Sequence, residues 1–218
     1  MIEEQIEREL ASTMKSKPDP KKRIIKSAAT LIAKKGFSAV SVREITKSAK
    51  VNLAMVSYYF DGKTGILKEI ISQFFEAYEK AIEDSLSKRM SLEKRITCFV
   101  KNLVSYIKDH KDIFKVAYYE LPYDTPEIVE FRGQRIQQIR KVLWGHLFPE
   151  REIDNQIAPH LPIVGPAILS MVFSNFILEP VIKVAFDVEF DDAFYDSYTA
   201  NISELILKGL PRFIEDLR

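Results

Sequence analysis

The stretch from Ser41 to Lys63, SVREITKSAKVNLAMVSYYFDGK, constrains this chain most, because it holds two helix starts close together. Ser41 precedes Val42 and has Glu44 three positions on, so its hydroxyl is placed to cap the free N–H groups of a helix while Glu44 reaches back. Ile45 and Ala49 fall on one face of that helix. Ser48-Ala49-Lys50-Val51 then turns the chain, and Asn52 is a competent cap for a second short helix, Leu53 to Tyr58. Helices this short are not stable alone, so a preceding amphipathic helix is required. Residues 20–35 supply it. Ile24, Ile25, Ala28, Leu31 and Ile32 recur at three- and four-residue spacing; Pro20 suits a first turn, Lys34 and Lys35 suit the negative end of the helix dipole, and Gly36-Phe37 closes the helix. The predicted unit is a three-helix domain with a helix-turn-helix at about 41–60, a device for entering DNA.

Charge is distributed to match. The whole chain of 218 residues carries a formal +1, yet Lys15 to Lys63 holds twelve Lys/Arg against three acidic residues, a balance of +9, which leaves −8 for the remainder. A basic excess around a helix-turn-helix fits a phosphate-neutralising footprint. Taken alone, it equally fits a solvated lysine-rich helix.

The rest reads as helix throughout, so the expected fold class is all-α. An apolar stripe from Ile66 through Phe74, Phe75 and Tyr78 to Ile82 predicts a long connecting helix from Lys63 to about residue 86. Further helices are predicted at Leu92 to about His110, at Ile113–Tyr119 and, after Thr125-Pro126, to Leu147, with Phe131, Ile136 and Ile139 facing inward. Pro166 and Pro180 confine the next to about Ala167–Glu179, and the last runs from Asp191-Asp192 to a stop at Gly209. Ile2, Ile6 and Leu10 leave residues 1–17 as either a short extra helix or a disordered arm. Cys98, the single cysteine, is expected in apolar surroundings. His110, His146 and His160 are scattered without metal-ligand spacing, so neither metal nor cofactor is expected. With seven glycines and no phosphate loop, nucleophile elbow or paired carboxylates, the chain is not expected to be an enzyme. No uncharged stretch of about 18 residues, and so no membrane span, is expected, and the N-terminus opens with Glu3 and Glu4 rather than a basic run, so the expected location is cytoplasmic.

From Arg23 to Leu67 the sequence closely resembles the TetR (tetracycline-repressor) family of bacterial transcription regulators. The residues carrying the resemblance are Ile24, Ala28, Leu31 and Ile32, Gly36-Phe37, Ser41-Val42-Arg43-Glu44-Ile45, Val51, and Tyr58-Tyr59-Phe60 with Lys63. Two features depart from the usual pattern: Lys50 stands where the turn commonly holds glycine, and Ser57 replaces an aromatic residue beside Tyr58. The resemblance implies a DNA-binding domain over 18–78 and an effector-binding and dimerisation domain over 79–218. It implies a homodimer formed through the last two helices, for which the apolar residues Ile168, Met171, Val172, Phe176, Tyr198, Ile202 and Leu205 are the candidates; their other reading is internal core. It also implies a small-molecule cavity among the middle helices. Phe74, Tyr78, Phe99, Tyr106, Tyr118, Phe131 and Trp144 would line it and favour an apolar or aromatic ligand, although aromatics at helical spacing are first of all core.

On double-stranded DNA, Leu53, Ala54 and Ser57 are expected in the major groove, Asn52 at the helix entrance and Arg43 as the residue able to read guanine or hold a phosphate. The resemblance places Ser41 and Tyr59 on phosphates, with Tyr58 and Phe60 packing inward; Lys63 is expected on a further phosphate at a helix start. The expected function is a ligand-responsive regulator, a repressor binding a palindromic operator as a dimer. The alternative is a helical DNA-coating or scaffold protein without an effector, which would retard any duplex equally.

Overall fold

The computed structural model describes residues 19–85, 90–147 and 158–216. The extension 1–17 and the side chains of Trp144 and His146 lie outside the described residues. Nine α-helices are described: α1 Pro20–Lys35, α2 Val42–Ala49, α3 Ala54–Phe60, α4 Lys63–Ser85, α5 Leu92–Asp109, α6 Lys111–Tyr118, α7 Pro126–Leu147, α8 Leu161–Phe186 and α9 Asp192–Asp216, with a 3-10 turn Ala158–His160 before α8. The fold is all-α.

The starts and stops of the first helices follow local chemistry. The Asp19 carboxylate accepts from the Lys21 N–H at 3.0 Å and Pro20 opens α1, which ends at Gly36, whose φ of 83° only glycine adopts readily. α4 is the spine. Ile66, Leu67, Ile70, Ile71 and Ile82 on it are all fully buried. Its first turns pack on α3 and α1, and its remainder on α5, α6 and α7. A second link joins the two halves, because α1 packs on α6: Thr30 Oγ1 donates to Asp112 Oδ2 at 2.7 Å and the Lys115 ammonium to the Ala33 carbonyl.

Four expectations are corrected beyond α4. First, α8 runs unbroken through Pro166 and Pro180, and α9 through Gly209. Each proline forfeits one bond, to the carbonyl of Pro162 or Phe176. Tertiary packing outweighs that loss, since Val172 and Phe173 between them are buried and the Tyr198 hydroxyl donates to the carbonyls of Met171 and Val172 at 2.7 and 2.9 Å. Second, an uncharged stretch of that length does occur, since residues 155–178 contain no Asp, Glu, Lys or Arg. α8 is long and apolar enough to cross a membrane by length and composition only, as core helices of other proteins are, and the expectation of no membrane span is not overturned by it. Third, Ile136 points outward, 48% exposed, and the inward positions of α7 are Ile128 and Ile139. Fourth, Cys98 is half-buried rather than enclosed.

Candidate nucleic-acid interface

The cap of α2 closes in both directions. Ser41 Oγ accepts the Glu44 N–H at 3.2 Å and donates to Glu44 Oε2 at 2.9 Å, while the Ser41 N–H donates to the same carboxylate at 2.8 Å. Lys35 adds a 3.0 Å ion pair. These groups, the Ser41 backbone N–H first, hold the Glu44 carboxyl well below the carboxylate range, at about 2. Both polar atoms of Ser41 are thereby engaged in the cap, which removes them from the phosphate contact expected of this residue.

The turn after α2 is held from outside. Lys50 takes the left-handed conformation, φ 54°, where a side chain costs roughly 1–2 kcal/mol relative to glycine. From α1, Arg23 Nη1 donates to the carbonyls of Ala49 and Lys50 at 3.1 and 3.2 Å, fastening the strained residue. Sequence reading missed this clamp; its signal was an arginine on the flank of an otherwise apolar face of α1. The α3–α4 joint is also tight, with Asp61 and Gly62 at φ 54° and 99°. A Cβ on Gly65 would lie 1.5 Å from the Phe60 carbonyl oxygen, so only glycine fits there. That too was unread, although a second glycine one turn after Gly62 marked it.

Lys63 is corrected. Its ammonium donates to the carbonyls of Phe37 and Val40 at 2.8 and 2.9 Å and lies 4.2 Å from the Phe37 ring centre, and burial pushes its pKa down. The lysine ties α4 to the α1–α2 loop instead of facing DNA.

What remains outward lies on α3, on α2 with its turn, and on α1. On α3 and its approach, Asn52, Leu53, Ala54, Ser57 and Tyr59 are exposed, while Val56 and Phe60 are buried. Asn52 Oδ1 accepts the Ala54 N–H at 3.0 Å, so this side chain caps α3 with its oxygen. Tyr58, expected to pack inward, is instead 82% exposed and sits edge-on to Tyr59 at 4.9 Å. Helical geometry explains it: Val56 and Phe60 fill the inner positions of so short a helix, and Tyr58 falls opposite them. Arg43, Lys47 and Lys50 are exposed along α2 and its turn, and Lys22 and Lys26 along α1.

Among the described residues, most of those expected to line an effector cavity pack ring against ring. Phe74 packs against Tyr78, Tyr106, Phe114 and Phe173 with ring centres 5.9–6.4 Å apart; Tyr78 meets Phe99 at 5.5 Å and Tyr118 meets Phe173 at 4.8 Å. This is a packed aromatic core, closed by Phe173 of α8, which sequence reading did not include. Phe131 lies apart, in a depression of about 410 Å³ lined also by Tyr58, Tyr59, Lys68, Glu69 and Ser72. Among the dimer candidates, Val172 and Tyr198 are buried within the protomer and Phe176 packs on Tyr195 and Tyr198. Ile168, Met171 and Ile202 are half-buried, whereas Leu205 is 57% exposed. The outward stripe of α8 is Ile163, Ala167, Ser170, Leu178 and Val181.

The family model of the tetR family of bacterial regulatory proteins matches residues 24–70, the span from α1 to the first turns of α4. The chain is 31% identical over 194 residues to a probable HTH-type transcriptional regulator YttP of Bacillus subtilis, covering 85% of this chain and 91% of that protein. Among solved structures, the fatty acid degradation regulator FadR from Bacillus halodurans superposes with a TM-score of 0.65 at 18% identity, covering 90% of this chain and 98% of that one. FadR from Bacillus subtilis in complex with stearoyl-CoA gives 0.62 at 17% identity over 86% and 97%. At such identities the two structures show the shared fold.

Proposed function

The chain belongs to the TetR family of bacterial transcription regulators, and from that premise we propose that it is a ligand-responsive repressor that binds a palindromic operator as a homodimer. The observation that carries the DNA-binding part is the set of exposed residues Arg43, Lys47 and Lys50 with Leu53, Ala54, Ser57 and Tyr59, on a helix-turn-helix held in shape by Arg23 and Lys63. Leu53 and Ala54 suit thymine methyl groups, Ser57 a base edge and Arg43 the two acceptors of guanine; the amide of Asn52 keeps donors for adenine while its oxygen caps α3. Tyr59, with Tyr58 and Lys47, holds phosphates and sets register.

The dimer is supported by α8. An uncharged stripe with Ile163 at 69% and Val181 at 63% exposure stands in water on a single protomer, and a second copy covers it by two-fold symmetry. The same copy, rather than lipid, accounts for a helix that buries Val172 and Phe173 in the protomer and whose Glu179 pairs with Lys111 and Lys183. A small effector, apolar or aromatic in its body, acts on the C-terminal helices. It swings α4 and moves the paired recognition helices off successive major grooves, about 34 Å apart.

Selection of bound duplexes from a random pool, followed by footprinting, tests this reading. One palindromic site protected over both half-sites is the expected result. Equal retardation of every duplex would leave a helical DNA-coating protein in its place.

A further inference from the structure

The inward stripe of α7 is interrupted by charge. Ile128 and Ile139 are buried against the bundle, and the positions between them on the same face, at four- and three-residue spacing, are Arg132 and Arg135. Neither points freely into solvent. The Arg132 guanidinium lies 5.3 Å from the Tyr118 ring centre and donates to the Tyr123 hydroxyl at 2.9 Å. Arg135 lies 6.0 Å from the Phe75 ring on α4 and donates to Gln138 Oε1 at 3.3 Å. Those bonds use one nitrogen of each fork. The Nε of Arg132 and the Nε and Nη2 of Arg135 are shut off from solvent and meet no acceptor. One oxygen of Glu79, one turn beyond Phe75 on α4, is in the same condition, and no ion pair joins it to either arginine among the described residues.

A donor shut off from water without an acceptor costs free energy, and more so when it belongs to a charged group. Three such donors, carried by two half-buried guanidinium groups on one face of one helix, therefore favour an acceptor, best an anion, from outside the protomer. The seam also has room. One turn nearer the helix-turn-helix along both helices, from Arg135 to Phe131 and from Phe75 to Ser72, lies the depression of about 410 Å³. Its aromatic lining includes Tyr58 and Tyr59 of the reading helix.

Resting on the effector reading above, we infer that the effector is an acidic amphipath whose anionic group is held by Arg135 and Arg132 while its apolar body lies along the α4–α7 seam in that depression. A planar fork with two free donors fits a carboxylate or phosphate oxygen pair, and a neutral or cationic molecule leaves it unsatisfied. A body in the depression touches α3 and α4 together, which puts the effector in direct contact with the helix that reads DNA.

Full-length protein is titrated calorimetrically with decanoate, benzoate, decanoyl-CoA, decanol and inorganic phosphate, and the titrations are repeated with Arg135→Met and Arg132→Met. The expected result is that at least one acid binds on the order of ten- to a hundredfold more tightly than decanol, and that Arg135→Met removes the difference. Preference for decanoate or benzoate identifies a carboxylate head, and preference for decanoyl-CoA a phosphate-bearing one. Ligand-free Arg135→Met should melt no lower than wild type and still bind the selected operator, which separates failure of this inference from failure of the regulator reading. The inference is overturned if no acid is preferred to decanol, or if phosphate alone binds as tightly as the best acid, which marks a bare anion site. It is also overturned if Arg135→Met and Glu79→Gln each lower the melting temperature and do so non-additively, since the arginine is then paired within the protein.

Discussion

Inward-pointing cations of the helix-turn-helix unit and of the first turn of α4 end on acceptors: Arg23 on the carbonyls of Ala49 and Lys50, and Lys63 on those of Phe37 and Val40. In the bundle of α5 to α9 the pattern differs. Arg132 and Arg135 leave donors without acceptors, and the outward face of α8 leaves Ile163 and Val181 in water. The DNA-reading unit is finished by its own residues because it must keep one shape on every duplex it samples. In the function proposed above, the loose ends in the bundle are the places where a second copy and an effector complete it. In this account the rigid half reads and the unfinished half responds.

The largest expected effect lies in the unfinished half. Val181→Asp should weaken dimerisation by about 3–5 kcal/mol, because each copy would bury an unpaired carboxylate at the shared face. Sedimentation should show a folded monomer; an undisturbed dimer would remove α8 from the interface. Next comes the rigidity of the reading half. Gly65→Ala drives a methyl into the Phe60 carbonyl and should cost about 3 kcal/mol or more in urea unfolding, with operator binding falling in step. Retained stability would mean that the α3–α4 joint yields, and the contrast between the halves would soften.

Arg43→Ala should cost about 1–3 kcal/mol on the selected operator and flatten discrimination at one base pair per half-site. Equal weakening on random duplex would assign this residue to a phosphate. Ser41→Ala should cost about 1 kcal/mol through the lost cap. It should also raise the Glu44 carboxyl only part of the way from about 2 toward its ordinary 4.5, since the backbone N–H of residue 41 and Lys35 still hold it down, visible in an NMR titration. Because the folded-state value is depressed, the stability that this carboxylate supplies is complete above pH 4.5 and fades as pH falls toward 2. The smallest effect on DNA belongs to Lys63→Ala, which should leave the salt dependence of binding unchanged and lower stability slightly. A slope reduced by about one unit per half-site would put the lysine back on a phosphate.

How legible each part was in the sequence follows from how local its physics is. The Ser41–Glu44 cap, the Asn52 cap and the Pro126 start are decided within four residues, and the sequence reading placed them. Lys63, Arg23 and Gly65 act on groups brought to them by the fold. The charge of Lys63 pointed to DNA because its carbonyl partners, Phe37 and Val40, lie more than twenty residues back in the chain. Tyr58 was misjudged since Val56 and Phe60 alone fill the inner face of so short a helix. In the bundle, prolines and Gly209 suggested breaks that packing overrides. Val172 and Tyr198 looked like a dimer face until α8 and α9 met through the Tyr198 hydroxyl.

The central claim is that the finished half works only as a pair held by the unfinished one. Sedimentation of wild type and Val181→Asp with the selected palindrome, and with the same duplex after one half-site is scrambled, tests it most directly. The account predicts two wild-type protomers on the intact site, with affinity collapsing on the scrambled duplex and in the monomeric variant alike. A single protomer bound to the palindrome, or a monomeric Val181→Asp that retains wild-type affinity for it, would contradict the account.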